Sequence, residues 1–416
     1  MPRSGKASFR RRFFSLVFLV CLTCSGGAGP APSDDPADWV VDTSVSYDIQ
    51  VSEPRWLVPS AALPEWISPM ASNNNVDIIF HDDRLYLAWR TSETHWASKN
   101  TRFYIISSSD EGRTWKYEHE IALGSDLREP RFLSIGGKLI LHFFEAGINP
   151  LAFEPKYMWR IRRRGPGKWS EPEQMGNPGE IPWNVKVRGG VAYLTSYQGN
   201  HYEAGASELE VHFRKSLDGL SWEPVNPDNL VAYRGGVSEV AFEFDPAGSL
   251  WAVTRNEDGD ATGFGSHLCF APPDNLGAWD CSSRSDPNRY DSPVMFRHGN
   301  EIFLIARRDI GGPYDQGLTN LSFDQQKSLY LTTYSARPKR TAIYRINQAD
   351  RKVEFVLDLP SAGDTAFPAV RRTGAHAFLV ANYTSPLDES DQSWIDGQTS
   401  ARGTQIYLLT INFIPK

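Results

Sequence analysis

Residues 237–255, VSEVAFEFDPAGSLWAVTR, decide the fold of this chain. Apolar residues alternate with other residues on both sides of a turn at residues 245–248, Asp-Pro-Ala-Gly, which is typical of two antiparallel strands. Two strands that are joined by a short turn bring their outer ends together. We therefore expect Glu239, at the start of the first strand, to lie near Arg255, at the end of the second.

Similar hairpins occur five more times, and together the six copies predict the architecture. The other copies begin at Val76, Pro130, Trp183, Pro293 and Pro368. A second, weaker hairpin follows each first one, so that each repeat of about 50 residues contains four short strands, as propeller blades do. The sequence predicts an all-β, six-bladed β-propeller of four-stranded blades. A C-terminal strand at residues 406–413 would close the ring with an early strand at residues 51–58.

The N-terminus has the three parts of an export signal. Arg10, Arg11 and Arg12 form the charged part, residues 13–22 the apolar part and residues 26–28 a stretch of small residues. The apolar part is shorter than the ~20 residues that a transmembrane helix requires. This pattern predicts a signal peptide rather than a membrane span.

We divide the chain into three predicted parts. Residues 1–28 are a signal peptide of the ordinary or the lipoprotein type, residues 29–45 a disordered linker, and residues 46–416 the propeller. A lipid anchor would be attached at Cys24, which precedes Ser-Gly-Gly. We expect a monomer that is secreted, periplasmic or on the cell surface. The net charge of −7 argues against nucleic acid as a partner.

Two cysteines, Cys269 and Cys281, remain in the exported part of the chain. They flank a segment that connects two adjacent strands, and an oxidising compartment favours a disulfide between them. Two thiols are too few ligands for a metal site, and we expect neither a metal nor another cofactor. The acidic residues 257–260, Glu-Asp-Gly-Asp, are interpreted as a solvated turn rather than a calcium site.

The inner strand of each blade starts at the central channel, so the strand ends should meet around one mouth. The starts of the inner strands and the ends of the second strands carry carboxylates, arginines and aromatic residues, among them Asp77, Glu129, Arg131, Trp183, Glu239, Asp291, Phe367, Arg90, Tyr197, Arg255 and Arg307. Arginine binds carboxylates through two hydrogen bonds, and two carboxyl groups can act as acid and base. This set favours a carbohydrate ligand, particularly an anionic one, although the same residues could serve as ion pairs that hold the blades.

One turn resembles the Asp-box of the sialidase and BNR-repeat superfamily. It contains Ser108, Asp110, Gly112, Thr114 and Trp115 in the spacing of that motif. A shortened copy spans residues 216–222. In that superfamily the box lies on the outer rim, so we expect these residues to be structural rather than part of the site.

The resemblance to exo-sialidases also extends to the mouth. Glu239 and Arg255 match the family's glutamate and one arginine of its substrate-carboxylate triad, and Arg340 matches another. Three positions differ: Phe367 stands where the family has its catalytic tyrosine, residues 73–77 lack the first triad arginine, and the loop at residues 91–100 has Glu93 and His95 but no aspartate. An ordinary sialidase mechanism is therefore not expected.

We predict an exo-acting glycoside hydrolase that works through two carboxyl groups. Glu239 is the first candidate for a catalytic carboxylate, with Asp291 or Glu93 as its partner, and Asp364 is a further candidate that could equally cap a turn. The substrate would be bound by arginines and aromatic residues, namely Arg255, Arg131, Arg90, Arg340, Arg307, Trp183 and Tyr197. Carboxyl groups about 5 Å apart would give retention of configuration, and those about 6.5–9.5 Å apart inversion.

Two other functions fit the same residues. The propeller could bind a glycan or a protein without catalysis, since a scaffold can keep its fold when its chemistry is lost. A lyase would need a base near a uronate-binding arginine, and Tyr197 with His201 would offer one. We also expect the long excursion at residues 311–340 to cover one side of the mouth.

Overall fold

The computed structural model describes Met1 and residues 39–205, 208–389 and 391–416. Each predicted hairpin is present, because its alternating apolar residues pair across a short turn rich in glycine or aspartate. Six antiparallel sheets follow one another around a ring and form a six-bladed β-propeller, which confirms the predicted architecture.

The first three blades use consecutive segments of the chain. Blade I consists of strands Ser72–His81, Arg84–Ser92, Arg102–Ser108 and Lys116–Ile121. Blade II consists of Asp126–Ile135, Lys138–Ala146, Pro155–Gly165, Lys168–Trp169 and Glu173–Met175. Blade III consists of Ile181–Arg188, Val191–Gln198, Leu209–Ser216, Glu223–Pro224 and Val231–Gly235.

The next two blades carry additional elements at the mouth. Blade IV consists of Val240–Phe244, Leu250–Thr254, Leu268–Ala271 and Asp280–Cys281, and a separate two-stranded sheet is formed by Asn256–Asp260 and Gly263–Gly265. Blade V consists of Asp291–His298, Glu301–Asp309, Lys339–Asn347 and Lys352–Leu359. Helix α1, Phe323–Ser335, lies in the excursion between the second and third strands of blade V.

Blade VI closes the ring with both ends of the chain. Its strands are Ala369–Gly374, Ala377–Thr384 and Gln405–Pro415, and the short helix α2, Trp394–Thr399, precedes the last of them. The last strand pairs with both Tyr47–Val51 and Arg55–Val58. The predicted closure is confirmed, and the early segment forms two strands instead of one.

Apolar residues of neighbouring blades pack against one another between the sheets. Ile79 and Phe103 of blade I share one cluster with Phe132 and Phe143 of blade II, and all four side chains are buried. Burying a side chain of this size stabilises the fold by about 1.5–3 kcal/mol. Blade-to-blade packing therefore fixes where each inner strand begins, and so fixes the mouth.

Two local predictions can be compared with the structure. Cys269 and Cys281 form a disulfide between paired strands of blade IV, as expected. In the turn after blade I's third strand, Oγ of Ser108 accepts a hydrogen bond from the backbone N of Gly112 at 2.7 Å, and Asp110 accepts one from Thr114 at 2.8 Å.

The predicted signal peptide and the first ten residues of the predicted linker, apart from Met1, lie outside the described residues. Among the residues that are described, none belongs to a helix long and apolar enough to cross a membrane.

Candidate active site

The entries of the inner strands share a backbone irregularity at the mouth. Asn75, Glu129, Ser292 and Ala366 have φ values of 45°, 60°, 50° and 68°, which non-glycine residues rarely adopt. In blades I, II and V the strand pairing shifts its register at this residue. A β-bulge re-aims neighbouring side chains, and each such residue costs about 1–3 kcal/mol. Strained residues at or near the entries of four inner strands mark the mouth as the candidate site.

Glu239 and Arg255 form an ion pair at the mouth, as the hairpin geometry predicts. Nη1 of Arg255 lies 2.9 Å from Oε1 of Glu239, and the backbone N of Ser292 donates to Oε2 of Glu239 at 2.6 Å. Burial raises the pKa of Glu239, although the positive charge of Arg255 opposes this shift. Because the glutamate still has 5% of its surface exposed, a ligand in the mouth could contact it.

Asp291 lies within a cluster of arginines and has no exposed surface. Nε of Arg289 lies 2.5 Å from its Oδ1, while Nη1 of Arg307 and the hydroxyl of Tyr334 donate to its Oδ2 at 2.7 and 2.8 Å. Burial alone would raise the pKa of Asp291, but Arg289 and Arg307 together lower it. The carboxylate is therefore ionised and fully engaged by the protein.

Glu257 and Asp258 are fully buried in the strand Asn256–Asp260, so the interpretation of this segment as a solvated turn is wrong. Nε2 of His201 lies 3.1 Å from Oε1 of Glu257, and its Nδ1 lies 3.2 Å from Oδ1 of Asp258. Burial would lower the pKa of His201, but these two carboxylates raise it. Both ring nitrogens of His201 thus face carboxylates, and Nη2 of Arg255 also lies 3.3 Å from Nε2.

These three side chains could be taken for a metal site, because their donor atoms lie within 4.8 Å of one another. The chemistry of the surroundings does not fit a cation. Three positively charged side chains also contact the two carboxylates, namely Arg255, Arg289 and Lys327. They neutralise the negative charge that would attract a metal ion, so we interpret the group as an ion-pair network.

Glu129 is a second carboxyl group with a raised pKa at the mouth. Burial, and next the negative charge of Glu239, raise the pKa of Glu129 to about 8. Nη2 of Arg131 lies 3.9 Å from Oε2 of Glu129. The guanidinium of Arg131 stacks over two aromatic rings, with its Cζ 4.7 Å from the ring centre of Trp183 and 4.2 Å from that of Phe367. Within the described ranges, neither Oε2 of Glu129 nor Nε of Arg131 has a hydrogen-bond partner. Buried polar groups without partners require an explanation, which a bound ligand would provide.

Trp183 and Tyr197 lie behind the site rather than on its surface. Nε1 of Trp183 donates to the carbonyl of Pro293 at 3.2 Å, and both side chains belong to a buried apolar cluster. Trp183 and Phe367 instead fix the plane of the Arg131 guanidinium. Stacking of a sugar on either predicted aromatic face would require these side chains to move.

Arg90 and Arg340 make other contacts. Nη2 of Arg90 lies 2.8 Å from Oδ1 of Asp126, and both side chains are fully buried. Arg340 donates to the carbonyl of Lys339 and lies 3.9 Å from Asp391. The arginines that contact the buried carboxylates of the mouth are instead Arg131, Arg255, Arg289 and Arg307.

Glu93 lies on the exposed side of its loop. Its carboxylate accepts hydrogen bonds from Ser98 at 2.8 Å and from Asn100, which belong to the same loop. These bonds lower the pKa of Glu93, with that from Asn100 having the largest effect. The side chain is thus an ionised loop residue, and its contacts do not include the Glu239 cluster.

The excursion in blade V forms a fixed wall beside the mouth. The hydroxyl of Tyr314 donates to the backbone carbonyl of Glu257 at 2.9 Å, and Tyr334 of helix α1 contacts Asp291. Nζ of Lys327 donates to the backbone carbonyl of Glu203 at 2.7 Å. The excursion thus secures the ion-pair network from the side of blades IV and V.

A cavity of about 420 Å³ lies at the other end of the central channel. It is lined by the far ends of the inner strands, including Lys186, Glu243, Arg297 and Arg371. Because an inner strand spans the channel, this cavity and the strained strand entries are at opposite faces of the propeller. We assign the candidate site to the mouth because the unpaired Glu129 and Arg131 atoms lie there.

The sequence places Glu129 at the mouth, but Glu129 is not among the predicted catalytic residues, and Arg289 is not among the predicted site residues. A usable pattern was present. When the hairpin of blade II is aligned with that of blade IV, Pro130 corresponds to Val240, so Glu129 and Glu239 occupy equivalent positions. Arg289 precedes its hairpin copy, and no comparable pattern identifies it.

The class that the fold defines is the six-bladed β-propeller, in an arrangement similar to that of sialidases. No family model and no curated protein sequence matches the chain. Among solved structures, a protein of unknown function from Dyadobacter fermentans is 13% identical, with 88% of this chain and 99% of that chain covered and a TM-score of 0.57.

Two glycoside hydrolases of known name are also similar in structure. A mutant of Trypanosoma rangeli sialidase that displays trans-sialidase activity is 11% identical; 88% of this chain and 59% of that chain are covered, and the TM-score is 0.52. An α-L-arabinofuranosidase mutant from Fusarium graminearum, in complex with an iminosugar inhibitor, is 12% identical. The match covers 82% of this chain and 93% of that chain, and the TM-score is 0.52. At these identities the likeness shows the fold alone.

Proposed function

We propose that this protein is an exported, exo-acting glycoside hydrolase that removes a terminal anionic sugar. The observation that carries this proposal is the pair of buried carboxyl groups of Glu129 and Glu239 in one mouth, beside an arginine with an unpaired donor. Hydrolysis of a glycosidic bond commonly uses two such groups, one protonated and one ionised.

The two carboxyl groups suit different roles. With a pKa of about 8, Glu129 is protonated at neutral pH and can donate its proton to the glycosidic oxygen. Glu239 is held in an ion pair with Arg255 and can stabilise the positive charge that develops at the anomeric carbon. In this assignment Glu129 replaces Asp291 and Glu93 as the partner of Glu239.

Arg131 is the residue proposed to bind a carboxylate of the substrate. Its guanidinium is held in one plane by Trp183 and Phe367, so little conformational freedom is lost on binding. Arg289 and Arg307 are engaged by Asp291, which makes them less available to a ligand.

The structural neighbours support a sugar substrate only in general terms, because their names are those of a sialidase and an arabinofuranosidase. The lyase alternative is less well supported, because both ring nitrogens of His201 already contact Glu257, Asp258 or Arg255 within the protein. Binding without catalysis would leave the raised pKa of Glu129 without a use.

The proposal can be tested by hydrolysis of 4-methylumbelliferyl glycosides by the purified protein. The panel would contain a sialoside, a glucuronide, an arabinofuranoside and neutral hexosides. We expect release from an anionic member, and a decrease in kcat of about 10²-fold or more in Glu239→Gln and Glu129→Gln. Glu354→Gln, on the exposed edge of blade V, is the matched control.

Two outcomes would contradict the proposal. If no glycoside is hydrolysed but the wild type and Glu239→Gln bind glycans with similar affinity, the propeller is a binding module. If hydrolysis occurs and neither glutamate variant differs from Glu354→Gln, the protein is a hydrolase whose site lies elsewhere.

A further inference from the structure

A histidine and an aspartate form a second titratable pair at the mouth, separate from the glutamates. Nδ1 of His95, in the loop after the second strand of blade I, lies 2.6 Å from Oδ2 of Asp364, which precedes blade VI. A histidine whose Nδ1 is bonded to a carboxylate is fixed in the tautomer that leaves Nε2 free to accept a proton. The geometry is therefore that of an oriented base.

Asp364 is held firmly in place and ionised. Its other oxygen, Oδ1, accepts hydrogen bonds from the hydroxyl of Tyr383 at 3.0 Å and from Nε1 of Trp394 at 3.1 Å. Its backbone N donates to Oγ of Ser385 at 2.9 Å. Burial would raise the pKa of Asp364, but the groups around it lower that pKa. The interaction with His95 has the largest lowering effect. Three donors on one buried carboxylate exceed what capping a turn requires.

His95 is accessible where Asp364 is not. The side chain of His95 is 15% exposed, and that of Asp364 is 1% exposed. In the described part of the chain, Nε2 of His95 has no hydrogen-bond partner. The imidazole can therefore present this nitrogen to a water molecule in the mouth.

The charged groups around His95 keep it neutral. Burial lowers the pKa of His95, the charge of Asp364 opposes this effect, and the nearby charges of Arg128 and Arg90 add to it. Nη2 of Arg128 donates to the backbone carbonyl of His95 at 2.9 Å. Arg128 immediately precedes Glu129, and its charge also acts on that residue, so both proton-transfer groups share one neighbour.

We propose that His95 is the general base of an inverting hydrolysis in this mouth, that Asp364 is the positioning residue for it, and that Glu129 is the acid. This inference rests on the proposed function and specifies its stereochemistry. An inverting enzyme needs an acid and a base on opposite sides of the sugar, with room for a water molecule. His95 follows the second strand of blade I and Asp364 precedes blade VI, whereas Glu129 lies in the first strand of blade II and Glu239 directly precedes blade IV, so the two pairs enter the mouth from different blades.

The proposed step is balanced in atoms and protons. Nε2 of His95 takes a proton from water while the water oxygen bonds to the anomeric carbon. The bond from that carbon to the glycosidic oxygen breaks, and this oxygen takes the proton of Glu129. The cycle ends when the imidazolium loses its proton to solvent and Glu129 regains one from solvent.

The test uses the substrate identified above with two leaving groups, 2,4-dinitrophenol and 4-methylumbelliferone. A good leaving group needs no proton, so Glu129→Gln should retain most activity on the dinitrophenyl glycoside and lose about 10²-fold or more on the other. His95→Ala should lose about 10²-fold or more of its activity on both glycosides. Without the base the water is not activated for attack, whichever leaving group departs. His119→Ala, on the outer strand of blade I, is the matched control.

Four further measurements separate catalysis from a structural role. Proton NMR should show that the first anomer released has the inverted configuration. The decrease of kcat/KM at acid pH in the wild type should be absent in His95→Ala, and added imidazole should restore part of its rate. Asp364→Asn should lower kcat by about 10²–10⁴-fold with little change in KM.

The outcomes distinguish this inference from the proposed function. Hydrolysis with retained configuration, or His95→Ala activity within about threefold of His119→Ala, would overturn the inference and leave the hydrolase standing. No hydrolysis of any glycoside by the wild type would overturn both. Thermal melting of each variant shows whether a loss of rate reflects unfolding.

Discussion

The substitution Asp291→Asn tests whether Asp291 is a structural anchor of the mouth. The change keeps the size of the side chain but removes the charge that Arg289 and Arg307 contact at 2.5 and 2.7 Å. Breaking a buried ion pair from one side costs about 3–5 kcal/mol, because the remaining charges stay buried and uncompensated. We therefore expect a loss of stability rather than a selective loss of turnover.

The magnitude can be converted into a melting temperature. With about 2.1 cal/mol/K of unfolding entropy per residue, a propeller of this size unfolds with roughly 0.8 kcal/mol/K. A loss of 3–5 kcal/mol then lowers Tm by about 4–6 °C. Differential scanning calorimetry at neutral pH would measure this shift.

The control is Asp358→Asn in the same blade. Asp358 is also bound by an arginine through two hydrogen bonds, of 2.8 and 2.6 Å to Arg308, but both side chains are about one third exposed. Exposed pairs contribute about 0–1 kcal/mol, so Tm should change by roughly 1 °C or less. If Asp291→Asn is no more destabilising than Asp358→Asn, the description of Asp291 as a buried anchor is wrong.

Three other predictions follow from named contacts. Folding raises the pKa of Glu129 from 4.5 to about 8, so the folded state binds more protons than the unfolded state between these pH values. The free energy of unfolding should therefore decrease as the pH rises from about 5 to about 8. Thermal melts over this range should show a weaker pH dependence for Glu129→Gln. The disulfide closes a separation of 12 residues, so replacing Cys269 and Cys281 by alanine should cost about 3 kcal/mol in chemical unfolding. Arg131→Met should raise KM for an anionic glycoside by about tenfold or more while leaving a neutral one unchanged.

The sequence predicted the parts of the fold that depend on short-range pattern. Alternation of apolar residues and a tight turn are enough to pair two strands, and six copies are enough to count the blades. The ion pair of Glu239 with Arg255 follows from the same hairpin geometry. The disulfide of Cys269 and Cys281 does as well, because the two residues face each other on paired strands.

The partners of the other charged residues could not be predicted in the same way. Arg90 and Arg131 both occupy strand ends at the mouth, but Arg90 pairs with Asp126 from the neighbouring blade while Arg131 stacks between aromatic rings. Which partner each arginine reaches depends on the β-bulges at the strand entries, because a bulge inserts one extra residue and so changes the face to which the following side chains point. The prediction that Glu257 is solvated is wrong because a polar sequence does not reveal a buried partner, here Arg289, which is distant in the sequence.

In the proposed hydrolase, the charges of the mouth would link substrate recognition to acid catalysis. With Glu129 protonated, four carboxylates face five cationic side chains, since Glu239, Glu257, Asp258 and Asp291 are opposed by Arg131, Arg255, Arg289, Arg307 and Lys327. The excess of positive charge favours an anionic ligand. A ligand carboxylate at Arg131 also adds a negative charge beside Glu129 and should raise its pKa further.

Binding of an anionic ligand should therefore be accompanied by uptake of a proton between about pH 7 and 9, where Glu129 is partly ionised in the free protein. Titration calorimetry in buffers of different ionisation enthalpy would measure this uptake. It should be absent in Glu129→Gln, which has no proton to gain, and a neutral ligand should produce none in either protein. Equal uptake by the wild type and Glu129→Gln would show that another group takes the proton, and that ligand charge does not maintain the acid in its protonated form.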